Sequence, residues 1–273
     1  MRGLRDLPPA PKVLRSLQGL LARSDTTLQQ IADMLQLEPG LSARVVRMAS
    51  SMHFGQGVKV DNAMEAIQRV GVKGVQELVT FAVASQLVGR PLVAYNLGAE
   101  PLWNRAVACA LAAGNLAERC DDVAYDDAYT AGLMHGLGLM VIDRHAAAQK
   151  KPRVLASAGY PLDFAPAERE WLDFSHAEAG AALLELWGFP VAVTTAVRFQ
   201  LNPEAAPEHR KLCMIVATAR WARTLFCVEE EVIPELPAAE WLAEAGMPLE
   251  DFNDWLARVR FRFKIACAEL QLG

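Results

Sequence analysis

Apolar positions recur three and four residues apart along almost the whole chain, and hardly any stretch alternates apolar with polar residues. That spacing lays apolar side chains along one stripe of a helix, and it predicts an all-α protein. Val13, Leu14, Leu17, Leu20 and Leu21 form the first stripe, after the stiff entry Leu7-Pro8-Pro9-Ala10-Pro11. Thr27 and Gln30 stand three apart, as a capping box for a helix from Leu28 to Leu37. After Glu38-Pro39-Gly40, a helix from Leu41 to Met52 sets Leu41, Val45 and Met48 on one face, with Arg44 and Arg47 beside it. His53 opens a loop. Asp61 or Asn62 caps a short helix that Gly71 ends, and an apolar helix from Val72 to Val88 follows. Gly89-Arg90-Pro91 is the best boundary signal. It divides the chain into an N-terminal helical bundle over residues 1–90 and a second helical subdomain over 91–273.

The second part starts with an alanine-rich helix from Pro101 to about Cys120. Asp126-Asp127 opens a helix that carries the stretch Ala131 to Asp143, AGLMHGLGLMVID, and a separate helix runs on to about Ala158. In that stretch Gly132, Gly136 and Gly138 let backbones come close, and the leucines and methionines want burial. His135 in its middle is either a packed core residue or one ligand of a buried polar site. Ser175 with Glu178 is a second capping box, for a helix that Gly188 ends. Val191 to Phe199 is short, Glu208 to Phe226 is long, and Glu229-Glu230-Glu231 is a solvated acidic run. A last helix from Leu249 to Leu270 holds Phe252, Trp255, Val259, Phe263 and Ala266 in register.

Composition narrows the class. A chain of 273 residues with 52% hydrophobic residues builds an ample core and is not disordered. No apolar run approaches the roughly 18 residues that span a bilayer, and the opening MRGLRDLPPAP lacks an apolar signal core. Five widely spaced cysteines without a CxxC read as reduced, mostly buried thiols. Together these features predict a cytoplasmic protein with no membrane association. Residues 1–90 hold 11 Lys and Arg against 7 Asp and Glu, a balance of +4, while residues 91–273 hold 16 against 25, a balance of −9. The basic residues are scattered rather than clustered with aromatics, which argues against nucleic acid as a partner. The split is ordinary solvated surface, or marks halves that meet different partners.

The chemistry-bearing residues are sparse. The five histidines, His53, His135, His145, His176 and His209, form no HxxxH or HxH pair, so no local metal chelate is encoded. No GxSxG or Walker-type loop is present, and Gly136-Leu137-Gly138 lacks the strand that a nucleotide-cradling GxG follows. His135 alone reads as a core histidine. His176, directly after a helix cap, reads as a surface or packing residue.

Read together, the segments resemble the HDOD domain, the HD-related output domain of bacterial signalling proteins. LPPAPKVLRSL, IADMLQLEPGLSARVVRMASSMHFG and AMEAIQRVGVKGVQELV resemble its first half. LWNRAVACALAAGNLA, AGLMHGLGLMVID and SHAEAGAALLELWGFPVAVTTAV resemble its HD-superfamily part. The resemblance covers about residues 4–270. It implies an all-α fold of two helical subdomains, the second a degenerate HD-superfamily core. It also implies a non-enzymatic regulatory role in signal transduction, often linked to cyclic-dinucleotide networks and exercised by binding other signalling proteins.

Set against the active HD phosphohydrolases, most metal-ligand positions are lost. A His after the Trp of the LW helix is here Arg105, the paired His-Asp is His135-Gly136, a double His is Phe199-Gln200, and a late Asp falls at about Arg220. His176 is kept. A divalent metal needs several imidazoles and carboxylates at once, so the resemblance implies no metal, no cofactor and no catalytic residue. Two uses of the former metal pocket stay open. Arg105, His135, His176 and Arg220 could hold a small anionic or nucleotide ligand, because guanidinium groups suit phosphate and carboxylate. Alternatively Arg105 and Arg220 pair with acids such as Asp143 and Glu178. A residual metal-dependent phosphohydrolase is the remaining alternative. For an interaction surface the candidates are Arg44, Arg47, Ser50, Ser51 and His53, unless these groups cap and fasten their helix.

Overall fold

The computed structural model describes residues 16–17, 19–20, 23, 25–37, 39–51, 57–88, 90–149, 155, 163–227 and 239–269. Among these the chain is helical and has no β-strand; Leu92 and Leu97 pair in an isolated antiparallel bridge. The helices are α1 (Leu28–Gln36), α2 (Pro39–Ala49), α3 (Ala63–Val88), α4 (Ala99–Ala117), α5 (Tyr125–Met134), α6 (Leu137–Ala147) and α7 (Ala165–Leu172). They continue as α8 (His176–Leu186), α9 (Val191–Phe199), α10 (Arg210–Ala222), α11 (Thr224–Cys227), α12 (Ala239–Glu244) and α13 (Phe252–Glu269). Most of the first predicted helix, His53, the far end of the helix expected to reach Ala158, and Glu229 to Glu231 lie outside the described residues.

The chain divides into two compact units, one of residues 1–8 and 88–261 and one of residues 9–87 and 262–273. In the latter, Thr27 and Gln30 close the predicted capping box on α1, with Gln30 Oε1 accepting from Thr27 N–H at 2.9 Å. Ile31, Met34 and Leu35 are buried on one face of α1, and Leu41, Val45 and Met48 on one face of α2. Asn62 supplies the cap of α3, its side-chain oxygen accepting from Glu65 N–H at 2.9 Å. Gly71 sits at φ 72°, ψ 175° and kinks α3 there, a conformation that favours glycine. Phe263 and Ala266 of α13 belong to this unit and are buried.

In the larger unit, α4 is buried nearly all round, from Leu102 to Ala117. It packs against α5 and α10; α9 packs against α5, α8 and α10; and α6 packs against α8. Small residues set these distances. A Cβ on Gly132 would lie 2.7 Å from the Cys109 carbonyl oxygen, and one on Gly138 would lie 1.8 Å from the His176 carbonyl oxygen. The stretch from Ala131 to Asp143 is therefore clamped by backbone on both sides. It is not one helix, however. The helix opened at Asp126-Asp127 ends at Met134, and a new one starts at Leu137. The break falls on His135-Gly136, with Gly136 at φ −90°, ψ 0°. Gly136 itself admits a Cβ, with no neighbour nearer than 3.8 Å, so close packing is not what places glycine there.

Other boundaries also shift. The long helix expected from Glu208 to Phe226 stops at Ala222, and Arg223 separates it from the short α11. The short helix α7, between the central stretch and α8, carries no strong signal of its own in the sequence.

Candidate functional site

The break in the central stretch turns His135 inward. The side chain is 2% exposed, and both ring nitrogens are engaged. Nδ1 lies 2.6 Å from the Gly132 carbonyl oxygen, an acceptor, so Nδ1 carries the proton. Nε2 then accepts from Arg223 Nη1 at 2.7 Å. Burial comes first, and the charge of Arg223 second, in pushing His135 well below its ordinary value of 6.5. The imidazole is neutral, and its lone pair is occupied by a guanidinium.

Gln200, at the end of α9, locks the same corner. Its amide nitrogen donates to the His135 carbonyl at 2.8 Å and to that of Val197 at 2.9 Å, and its buried oxygen has no hydrogen-bond partner. Arg223 is held in turn by its own Nε donating to the Arg220 carbonyl at 2.9 Å.

His176 is buried, not on the surface, at 6% exposure. As the first residue of α8, it presents its backbone N–H to Glu168 Oε2 at 2.7 Å, while its ring Nδ1 lies 2.8 Å from the same oxygen. Tyr95 donates its hydroxyl to Glu168 Oε1 at 2.7 Å. Burial raises Glu168, but the His176 ring, the His176 amide and the Tyr95 hydroxyl outweigh it and hold the carboxyl below its ordinary value. An ionised carboxylate thus sits at a helix N-terminus, where the backbone dipoles favour it. Burial and then Glu168 push the Tyr95 phenol far up, so it stays protonated.

Arg220 stands beside an acid other than the two named from the sequence. Asp143 accepts from the Ala94 backbone N–H at 2.7 Å, and Glu178 caps α8 through Ser175 N–H at 2.8 Å. Arg220 lies 3.9 Å from Asp163 instead. Burial, then the neighbouring Arg223, push Arg220 down to about 10, which leaves it charged at neutral pH. Arg105 is buried on α4 with interactions of its own. It lies one turn before Cys109, whose thiol burial pushes up to about 12 against the pull of Arg223 and Arg220. The expected set of Arg105, His135, His176 and Arg220 omitted Arg223, Glu168, Tyr95 and Gln200. Arg223 has a local signal, since it follows Arg220 by three residues on a helix face; Glu168 has none.

A divalent cation does not fit these residues. The one lone pair that His135 offers is taken by a cation already, and the positions around it carry arginine, glycine and amide groups. Among the described residues no three His, Cys, Asp or Glu side chains cluster as a metal site.

The burial of His135 has a pH consequence. The unfolded chain takes up a proton at this residue below about pH 6.5, and the folded chain does not. Stability is therefore expected to be full above pH 6.5 and to fall as pH drops below it, by up to about 1.4 kcal/mol per pH unit. Glu168 adds a loss in the same direction only below its ordinary value of 4.5. Urea unfolding at several pH values tests this, and a His135→Gln variant should show a flatter profile between pH 6.5 and 4.5. Equal slopes would assign the acid loss to other groups.

In the smaller unit the candidate interaction residues divide. Ser50 ties α2 to the following loop, its hydroxyl donating to the Val46 carbonyl and accepting from Val60 N–H at 3.1 Å. Ser51 is buried and donates to the Met48 carbonyl at 2.6 Å, and Arg44 donates to Ser85 Oγ at 2.9 Å. Arg47 is exposed, and with Ser50, Lys59 and Asn62 it lines an open groove of about 770 Å³.

The family model of the HDOD domain matches residues 7–203. An uncharacterized protein of Treponema pallidum is 30% identical over 218 residues, 78% of this chain and 41% of that protein. The chain thus spans less than half the length of this curated relative. Among solved structures, an HDOD domain protein of unknown function from Geobacter sulfurreducens superposes with a TM-score of 0.75 at 22% identity, covering 100% of this chain and 95% of that one. A candidate phosphohydrolase from Shewanella amazonensis gives 0.71 at 24%, over 99% and 97%. A candidate signal transduction protein from Marinobacter aquaeolei gives 0.71 at 23%, over 96% and 58%. At these identities the structures speak for the helical fold alone. No helix among the described residues is long and apolar enough to cross a membrane. With the profile spanning most of its length and the fold agreeing with it, the chain belongs to the HDOD domain family.

Proposed function

We propose that this chain is a non-catalytic regulatory protein of a bacterial signalling pathway, acting in the cytoplasm by binding other signalling proteins. The observation that carries this reading is Arg223 Nη1 at 2.7 Å from His135 Nε2. In a metal hydrolase that lone pair faces the cation. Here a side chain of the same protein answers it, and Gln200 and Glu168 are committed to holding helices together. The neutral imidazole is a structural acceptor, with no proton to exchange near neutral pH.

Metal analysis after incubation with manganese, iron or zinc tests the reading. No stoichiometric metal and no phosphodiester hydrolysis are expected; bound metal with turnover would restore the hydrolase alternative. Gly136→Asp is the sharper variant, because the site admits a Cβ and the backbone is accessible to any residue. The folded variant is expected to bind no metal, since Arg105, Phe199, Gln200 and Arg220 still stand where the other ligands are lost. Stoichiometric metal in it would mean that the lost ligands are fewer than they look.

For partner binding the groove beside Arg47 is the face to alter. It offers Arg47 and Lys59, and two exposed apolar residues, Leu37 and Val58, adjoin its lining residues Gln36 and Lys59 in sequence. A partner retained by the native protein should be lost by Arg47→Glu, and retention by both would move the docking face elsewhere.

A further inference from the structure

Helix α13 puts an aromatic ring in water. Trp255, Val259, Phe263 and Ala266 are buried at helical spacing. Phe261 stands two residues from both Val259 and Phe263, so it points about 160° away from each around the helix. It is 66% exposed, and no other aromatic side chain is exposed among the described residues. Cations gather around it. Residues 255–268 hold Arg258, Arg260, Arg262 and Lys264 and no carboxylate. Arg260 is used within the fold, its Nη2 donating to the Leu225 carbonyl at 2.6 Å, and Arg262 has interactions of its own. Arg258 and Lys264 are exposed and form no ion pair among the described residues. They lie three residues before and three residues after Phe261, next to it on the same face. Asp254, four residues before Arg258, is the nearest acid along the helix and forms no ion pair with it.

A singly exposed apolar residue is ordinary on a protein surface. A phenyl ring flanked by two unpaired cations is the composition of an interface centre, where aromatic and arginine side chains contribute most. The cations require an acidic partner. The rest of the chain limits its extent. Without these four cations, residues 91–273 hold 12 Lys and Arg against 25 Asp and Glu. A nucleic acid or an anionic membrane runs past one helix face and is repelled by such a balance, and two free cations release few counterions. A short acidic segment stays within the cluster. We infer that the solvent face of α13 from Arg258 to Lys264 docks a short acidic segment of a partner protein. An apolar side chain of that segment covers Phe261, and its carboxylates meet Arg258 and Lys264. The inference rests on the reading of the chain as a regulator that binds other proteins; it adds the chemistry of the partner and residues other than those of the groove beside Arg47.

Fluorescence anisotropy of the full chain with a labelled peptide, Glu-Glu-Leu-Phe-Glu-Glu, tests the face. The peptide is expected to bind saturably with a Kd below about 100 μM, and Glu-Glu-Ser-Gly-Glu-Glu, of equal charge, at least about tenfold more weakly. Phe261→Ala and Lys264→Glu should each weaken the first peptide at least about tenfold. Both side chains are exposed, so both variants should fold as the native chain does. Arg144→Glu makes the same charge change on an exposed residue of α6 and should leave binding unchanged. Oligothymidylate and phosphatidylserine vesicles serve as the competing polyanions. The proposal falls if the native chain shows no saturable peptide binding, if the Ser-Gly peptide binds equally well, or if Phe261→Ala binds as the native chain does. It also falls if Arg144→Glu weakens binding as much as Lys264→Glu, or if either polyanion binds this face more tightly than the peptide. The two readings fail separately. Bound metal with turnover would sink the regulatory role and leave the peptide affinity standing, whereas a partner retained through Arg47 by a chain that binds no acidic peptide would sink the α13 face alone.

Discussion

Gly138→Ala is expected to unfold the larger unit or to cost it at least about 3 kcal/mol. The added Cβ would meet the His176 carbonyl oxygen at 1.8 Å and the Gly180 nitrogen at 2.6 Å. Both are backbone atoms at the start of α8, so no rotamer change relieves the clash; α6 and α8 must separate. Separation would also pull the His176 amide and ring from Glu168. The same substitution at two other glycines, Gly180 in α8 and Gly136 in the stretch, provides the scale. Gly180→Ala meets backbone only at 3.0 Å and beyond and should cost less, while Gly136→Ala meets nothing within 3.8 Å and should be near neutral. Guanidinium unfolding midpoints of the three variants give the order directly. A Gly138→Ala protein as stable as the native one would show that the crossing of α6 and α8 is looser than 1.8 Å implies.

Glu168→Ala is expected to destabilise by about 3–5 kcal/mol, the usual effect of removing one partner from a buried charged network. The side chain is wholly buried and accepts from the Tyr95 hydroxyl, the His176 amide and the His176 ring. Deletion leaves two donors of α8's first residue and one phenol without an acceptor in a dry site. Glu168→Gln should cost less, because one carboxamide oxygen still serves one donor while its NH2 faces another. Equal stability of the alanine variant and the native protein in urea would mean that water replaces the carboxylate at no penalty.

The elements of the fold that depend on residues within one helical turn were legible in the sequence. Thr27 with Gln30 and Ser175 with Glu178 mark helix starts that the structure keeps, and the stripe of Leu41, Val45 and Met48 is buried as spaced. The site was legible only in outline. His135 and His176 stand out as histidines in apolar or capped surroundings, but what they bond to arrives from far along the chain. Arg223 reaches His135 across 88 residues, Tyr95 reaches Glu168 across 73, and Gln200 reaches His135 across 65. No periodicity or cap encodes such pairs. The break at His135-Gly136 was hidden for the same reason: the local pattern is that of one helix, and Gln200 and Arg223 hold the two pieces at the corner. Arg220 stands 3.9 Å from Asp163, while Asp143 accepts from the Ala94 N–H, 49 residues away, and Glu178 from the Ser175 N–H.

The smaller compact unit is discontinuous in sequence. Residues 9–87 begin it and residues 262–273 complete it, with the whole of 88–261 in between. A ribosome therefore releases its opening helices long before the turns of α13 that carry Phe263 and Ala266. Closure of that unit is a late, non-local event in chain synthesis, since it waits for the segment that begins at residue 262. Cutting the gene after residue 87 does not yield an independent module, because it discards the piece that finishes it.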